Sequence, residues 1–387
     1  MRIEAVEAIQ VPPRWIFVRV RTDDGAVGWG EAIVPKRPLA VIGAIADLAE
    51  NIRGSAAGHI EDLWLRMHRG AFYRGGPILG TAAAAIEAAL WDIKGRQLGV
   101  PVHELLGGPV RDKIRTYAWV GGDRPQEVLA HVQQRVDQGF TAVKMNATAQ
   151  LDYLDRSSLV DGVVGRVASI REKFGPDFGI ALDFHGRVHQ AMARVLLREL
   201  EQFRLMWVEE AAAPESDDIL PALRDAAGST PLATGERLYS RWDFVRLLEM
   251  RAVDVIQPDV SITGLHELVK IAHMAEAYDV AVAPHCPSGP ISLAASLQAG
   301  YCCANVVIQE QSGGMHYNQG YKGLPSQELL DYVTEPGVLT QRDGYFQLSA
   351  EPGLGLLLDE AAMRDRSQVW RQPDPDWRYD DGRYAEW

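Results

Sequence analysis

From the first residue to about position 35 the chain alternates with a period of two. Ile16, Val18 and Val20 interleave with Phe17, Arg19 and Arg21, TDDG (22–25) is a turn, and AVGWGEA resumes the strand. From about 39 to 107 the period lengthens. Ala83, Ile86, Leu90 and Ile93 fall at helical spacing, and the glycine pair at 107–108 closes the region. Strands followed by helices predict an α+β unit over residues 1–112.

The next two hundred residues follow another rule. Short apolar runs alternate with amphipathic stretches: TAVKM (141–145), FGIALD (178–183), RLMWVE (204–209), PLATGE (231–236), VDVIQPD (253–259), DVAVAPH (279–285) and NVVIQE (305–310). Continuous apolar runs suit strands covered on both faces, as in a parallel sheet wrapped by helices. Six of the runs end in Asp183, Glu209, Glu236, Asp259, His285 and Glu310, at intervals of 26, 27, 23, 26 and 25 residues. One strand, one helix and two short loops fill such an interval, so residues 113–320 are predicted to form a (β/α) barrel with ionisable groups at the C-terminal ends of its strands. Barrel enzymes carry their chemistry at that end. Residues 321–387 lose the period. PGLGLLLDE (352–360) reads as a strand between glycine turns, and a tail from Pro373 to Trp387 is aromatic and acidic. Leu354, Leu356 and Leu358 need cover, so this segment is expected to pack back on the N-terminal unit.

Composition narrows the partners. The 387 residues are 47% apolar and 24% charged, with no apolar run of 18 or more, so no membrane span is expected. A net charge of −13 without a basic run argues against nucleic acid and anionic membranes. The opening residues lack the apolar block of a secretion signal. The three cysteines, Cys286, Cys302 and Cys303, show no C-x-x-C spacing, which makes the cytoplasm the expected compartment.

The strand-end groups suggest chemistry. Neighbouring strands lie about 5 Å apart, so Asp183, Glu209 and Glu236 would repel one another unless a cation holds them. Carboxylate-only ligation suits a hard ion, Mg2+ before Mn2+. WVEE offers Glu209 and Glu210 on opposite faces, and periodicity does not choose between them. Lys144 and a protonated His185 are the cations that could help to attract an anion. His285 is either a core histidine or a general base oriented by Asp259. Glu310 is either a surface acid or a protonated donor to an oxyanion, held so by its negative neighbours. A metal gripping a substrate carboxylate and a histidine aimed at the adjacent carbon together suit abstraction of an α-proton. His185 as a second acid would then release a hydroxyl, giving a 2-keto-3-deoxy acid, or reprotonate the carbon, giving a racemase.

The motifs PPRWIFVRV, FYRGGPIL, WDIKG, VRDKI, WVGGDRP, LDFHGRV, AEAYDV, APHCP, QEQS and the terminal AEW, together with these strand ends, resemble the acid-sugar dehydratases of the enolase superfamily, mandelate racemase branch. The resemblance runs almost end to end. It implies an enolase-like (β/α)7β barrel with an α+β capping domain completed by the C-terminal segment, and an acid-sugar substrate in a homo-oligomeric enzyme. It implies one Mg2+ on Asp183, Glu209 and Glu236, which selects Glu209 over Glu210. His285 with Asp259 would be the base, His185 the acid on the departing 3-hydroxyl, and Glu310 a partner of the enediolate. Lys144, Asn146, Trp15, Tyr73 and Arg74 would contact substrate, with loops near Trp15 and at 73–77 closing over it. Asn146 stands where lysine-base racemases of this branch carry their second base. Ala211, NATAQ (146–150) and SITGLH (261–266) depart from the family pattern beside the site, and bear on which sugar is bound.

Overall fold

The computed structural model describes residues 1–123, 125–149, 151–318, 328–369, 371 and 374–385. The boundary expected at 320, and Glu386 and Trp387 of the terminal motif, lie outside them. Strands β1 (Ile3–Val11), β2 (Trp15–Thr22) and β3 (Val27–Ala32) form an antiparallel sheet in that order. The turn at 22–25 closes through Thr22 N–H to Ala26 O and Gly25 N–H to Thr22 O. Helices α1 (Pro38–Ile52), α2 (Ile60–Arg69) and α3 (Pro77–Leu98) follow. Helix α3 is buried almost all round from Thr81 to Ile93, because it lies between this sheet and the barrel. Gly30 permits that packing. A Cβ there would overlap the Ala85 carbonyl, so only glycine lets β3 touch the backbone of α3.

The barrel alternates strand and helix as the spacing predicts. Its strands are β4 (Ala118–Trp119), β5 (Ala142–Asn146), β6 (Gly179–Asp183), β7 (Trp207–Glu209), β8 (Leu232–Thr234), β9 (Val255–Ile256) and β10 (Ala281–Val282), parallel and sequential. Between them run α4 (Leu129–Asp137), α5 (Ser157–Phe174), α6 (Gln190–Leu200), α7 (Leu220–Ala227), α8 (Arg241–Glu249) and α9 (Leu265–Glu276); α10 (Pro290–Cys302) follows β10. The 305–310 run closes the ring through isolated parallel bridges, Val306 to Val282 and Gln309 to Thr116. Among the described residues this is a (β/α)7β barrel, the fold class expected. Small residues (Ala142, Ala181, Ala233, Ala283) meet Tyr117, Trp207 and Ile308 inside it, so the interior is filled and the site can only form at its mouth.

Only Leu357–Leu358 of the 352–360 run is a strand, because Gly353 and Gly355 turn the chain with φ of 72° and 81°. Leu354 and Leu356 are buried as their character requires. The C-terminal segment lies against the N-terminal sheet. Tyr332 donates its hydroxyl to Pro12 O and sets its ring against Trp15 and Phe17, while Arg364 pairs with Glu7. Among the described residues no helix is long and apolar enough to cross a membrane.

Candidate active site

Asp183 ends β6, Glu209 ends β7, and Glu236 lies two residues beyond β8. Parallel register sets Asp183 beside Glu209, and the three side chains converge with a ligand atom from each within 4.8 Å of the others. All three are buried. Glu210 departs from this group. Its backbone adopts φ of 44°, which turns the side chain to Arg237 in a bidentate pair at 2.7 and 2.8 Å. The ambiguity in WVEE is thereby resolved in favour of Glu209.

The cluster is short of donors. Glu236 Oε2 is buried without a hydrogen-bond partner among the described residues. Burial and the charge of Glu210 raise the Glu236 carboxyl well above its ordinary range, and burial with the charge of Glu209 does the same to Asp183. Burial also opposes ionisation of Glu209, but Lys144 at 2.7 Å holds it down at about 2. Three converging oxygens, one of them orphaned, fit a hard divalent cation bound through carboxylates.

Lys144, on β5, is only 1% exposed and bridges Glu209 and Glu310, with 2.8 Å to the latter. Glu310 accepts from Lys144 on one oxygen and from the Cys286 N–H at 2.9 Å on the other. Glu310 is therefore buried and not a surface acid, with one oxygen on Lys144 and the other on a backbone N–H.

His285 and Asp259 lie on adjacent strand ends joined by a backbone bridge. Asp259 Oδ2 meets His285 Nδ1 at 2.7 Å, while its Oδ1 accepts from the Ser261 N–H and hydroxyl at 2.7 and 2.6 Å. The carboxylate is thus fixed before it fixes the imidazole, and Nε2 faces Glu236 at 3.6 Å and Glu310 at 3.9 Å. Burial opposes a charge on His285, but Glu236, Glu310 and Asp259 raise it to about 10. A bound cation would cancel much of that field.

His185 sits past β6 with φ of 53°, its backbone N–H held by Asp183 Oδ1 at 2.6 Å. Its Nδ1 meets Arg187 Nη2 at 2.6 Å. Guanidinium only donates, so Nδ1 accepts and the ring proton is assigned to Nε2. The protonated His185 expected from the sequence is not what the structure favours. Burial and the charges of Arg187 and Arg237 hold it well below the ordinary histidine range, and those two arginines are the local cations. Gly186 leaves room for Arg237, whose guanidinium fills the place of a Cβ.

Lys144, Asp183, His185, Glu236, His285 and Glu310 all line one cavity of about 590 Å³, roofed by Arg14, Lys36 and Trp377. Four expected contacts do not reach it. Trp15 is fully buried, packed on Phe17 and Tyr332; the turn before β2 is at the cavity, but Arg14 faces it, since successive side chains take opposite faces. Asn146 is 1% exposed and spends its amide on Asp123 O at 3.2 Å. Tyr73 and Arg74 open on a neighbouring cavity of about 450 Å³, and only Pro77 of their loop lines the central one. The sequence reading missed Arg187, Arg237, Arg14 and Trp377. The first two follow β6 and β8 by four and three residues and were open to discovery there; the others come from loops without a period.

A parallel barrel whose mouth gathers three acids that could hold a cation, a lysine and two oriented histidines has the groups that proton transfer beside a metal requires. Residues 5–107 match the mandelate racemase / muconate lactonizing enzyme N-terminal domain, and residues 127–362 match the enolase C-terminal domain-like family. The chain belongs to the enolase superfamily, in its mandelate racemase/muconate lactonizing enzyme family. It is 47% identical to the D-galactonate dehydratase of Cronobacter sakazakii and 48% to that of Ralstonia pickettii, each over 100% of both chains. Among solved structures, an enolase from Agrobacterium radiobacter with bound sodium and L-malate superposes with a TM-score of 0.89, at 30% identity over 100% of both chains.

Proposed function

We propose that this chain dehydrates D-galactonate to a 2-keto-3-deoxy sugar acid, with Mg2+ held by Asp183, Glu209 and Glu236. It is an acid-sugar dehydratase, a hydro-lyase. The observation that carries the reading is one cavity lined by Asp183 and Glu236 of the carboxylate triad, by His285 held by Asp259 behind it, and by His185. Full-length relatives at 47–48% identity that bear the name D-galactonate dehydratase support the substrate.

The bound ion would offset the charge of its carboxylates and stabilise negative charge on the substrate carboxylate. His285 takes the proton from the carbon α to that carboxylate, through the Nε2 that Asp259 leaves exposed. Lys144, buried among acids, lies beside the developing charge. In the substrate complex, where the negative charge of the substrate would favour a second ring proton on His185, the imidazolium donates from Nε2 to the 3-hydroxyl and returns to neutral imidazole, the C–O bond breaks, and water leaves with the bonding pair. The resulting enol rearranges to the 2-ketone. Arg14, Lys36 and Arg237 at the cavity, with Arg187 behind His185, offset the net acidity of the chain locally. Three free, buried cysteines accord with a cytoplasmic site of action.

A panel of acid sugars incubated with Mg2+ and scored for 2-keto-3-deoxy acid tests this, with D-galactonate expected to turn over fastest and D-gluconate or another aldonate as the competing substrate. The same assay in D2O tests an epimerase. Deuterium at an inverted α-carbon of recovered substrate, without keto acid, would overturn the dehydratase reading.

A further inference from the structure

The described part of the C-terminal tail crosses the cavity from one domain to the other. Asp374 pairs with Arg37 at 3.1 Å; at the far end Tyr379 donates to Leu151 O at 3.2 Å and Arg383 pairs with Asp152 at 2.6 Å. A local fold stiffens it, with Tyr379 N–H to Arg383 O and Ala385 N–H to Trp377 O, both at 2.9 Å. Between these anchors Asp374, Pro375 and Trp377 line the cavity.

The Trp377 ring lies 5.1 Å from the Arg187 guanidinium carbon. Arg187 is only 1% exposed, and its two terminal nitrogens bond in plane to Asp123 O at 3.1 Å and His185 Nδ1 at 2.6 Å. A guanidinium bonds in its plane and stacks on its faces, so an aromatic ring can hold it without competing for its donors. With that face opened to water, Arg187 would gain hydration and lose its fixed angle. His185 would then lose the donor that fixes its ring.

We propose that Trp377 is a positioning residue for His185, acting through Arg187, so that the C-terminal strap sets the geometry of the acid step. The inference rests on His185 being the acid that releases the 3-hydroxyl. Its consequence is selective, because proton removal by His285 does not involve this chain of contacts.

The test compares full-length wild type, Trp377→Leu and Trp377→Phe on D-galactonate and on its analogue with fluorine in place of the 3-hydroxyl. Fluoride leaves without first taking a proton, so its loss depends on the base and little on the acid. Wild type that forms no keto acid from D-galactonate would refute the dehydratase reading itself. Given active wild type, Trp377→Leu should lower kcat for D-galactonate by about 10- to 100-fold, the cost of a misplaced catalytic group. Fluoride release should stay within about threefold, since only the acid step is weakened. Trp377→Phe, which keeps an aromatic face, should recover most of the loss. In a His185→Asn background, Trp377→Leu should add nothing further. Equal losses on both substrates, a rise in KM alone, or unchanged kcat would each overturn the proposal. Thermal melting of the variants shows that the comparison is made on folded protein.

Discussion

Glu31 and Glu87 are as deeply buried as Asp183, Glu209 and Glu236, yet they are surrounded differently. Both come from the N-terminal domain, and each plugs the start of a barrel helix. Glu31 accepts from Gly289, Ile291 and Ser292 N–H at 2.6, 3.1 and 3.0 Å at the head of α10. Glu87 accepts from Leu265 and His266 N–H at 2.7 and 3.0 Å at the head of α9, and from the Trp91 indole at 2.9 Å. Every oxygen of this pair is used, by donors that helix starts leave unpaired. At the barrel mouth the acids face one another, and Glu236 Oε2 has no hydrogen-bond partner among the described residues. Burial alone therefore does not mark a functional acid. A carboxylate saturated by backbone donors joins domains; one short of donors waits for a ligand.

That contrast can be broken most sharply by Glu236→Gln. Losing one ligand should cost several kcal/mol of transition-state stabilisation, about 10⁴-fold or more in turnover. The metal-free protein should melt at the same temperature or higher, because a like charge has gone; a clearly lower melting temperature would place Glu236 with the structural acids. His285→Asn should lower turnover by between about a hundred- and ten-thousandfold, with Mg2+ binding by calorimetry unchanged. Appreciable dehydration by that variant would remove His285 from its role as base.

The interface acids should respond the other way. Glu31→Ala or Glu87→Ala strands buried N–H groups and should cost about 3 kcal/mol in urea unfolding, while kcat of the folded fraction changes little. The smallest effect concerns pH. Burial raises both carboxyls from 4.5 to about 7. Below 4.5 the folded and unfolded chains are both protonated at these sites, and the full stability is present. Between 4.5 and about 7 the unfolded chain has released protons that the folded chain retains, so stability falls as pH rises. The slope is at most about 1.4 kcal/mol per pH unit per group, and Glu31→Gln or Glu87→Gln should flatten it in denaturation curves run across that window. A slope unchanged by either substitution would mean that these acids do not set it.

The near-constant interval between polar strand ends was enough to predict the barrel and to nominate Asp183, one of Glu209 and Glu210, Glu236, Asp259, His285 and Glu310, because in a parallel barrel sequence period and spatial layer are the same quantity. The D-x-H spacing put His185 near the acids, but the choice between Glu209 and Glu210 waited for the turn of the backbone at Glu210 toward Arg237. What the period could not carry was anything set by packing between distant segments. Trp15 reads as a loop aromatic until Tyr332, more than three hundred residues later, is seen against it. Asn146 ends its strand on schedule, yet a neighbouring loop takes its amide. The protonation of His185 depends on Arg187 and Arg237, and the roof over it on Trp377, from three separate stretches of chain. Local spacing determined which groups face the barrel mouth. Tertiary structure decided which of them remain short of partners, because hydrogen bonds and charges are satisfied through space and not along the chain.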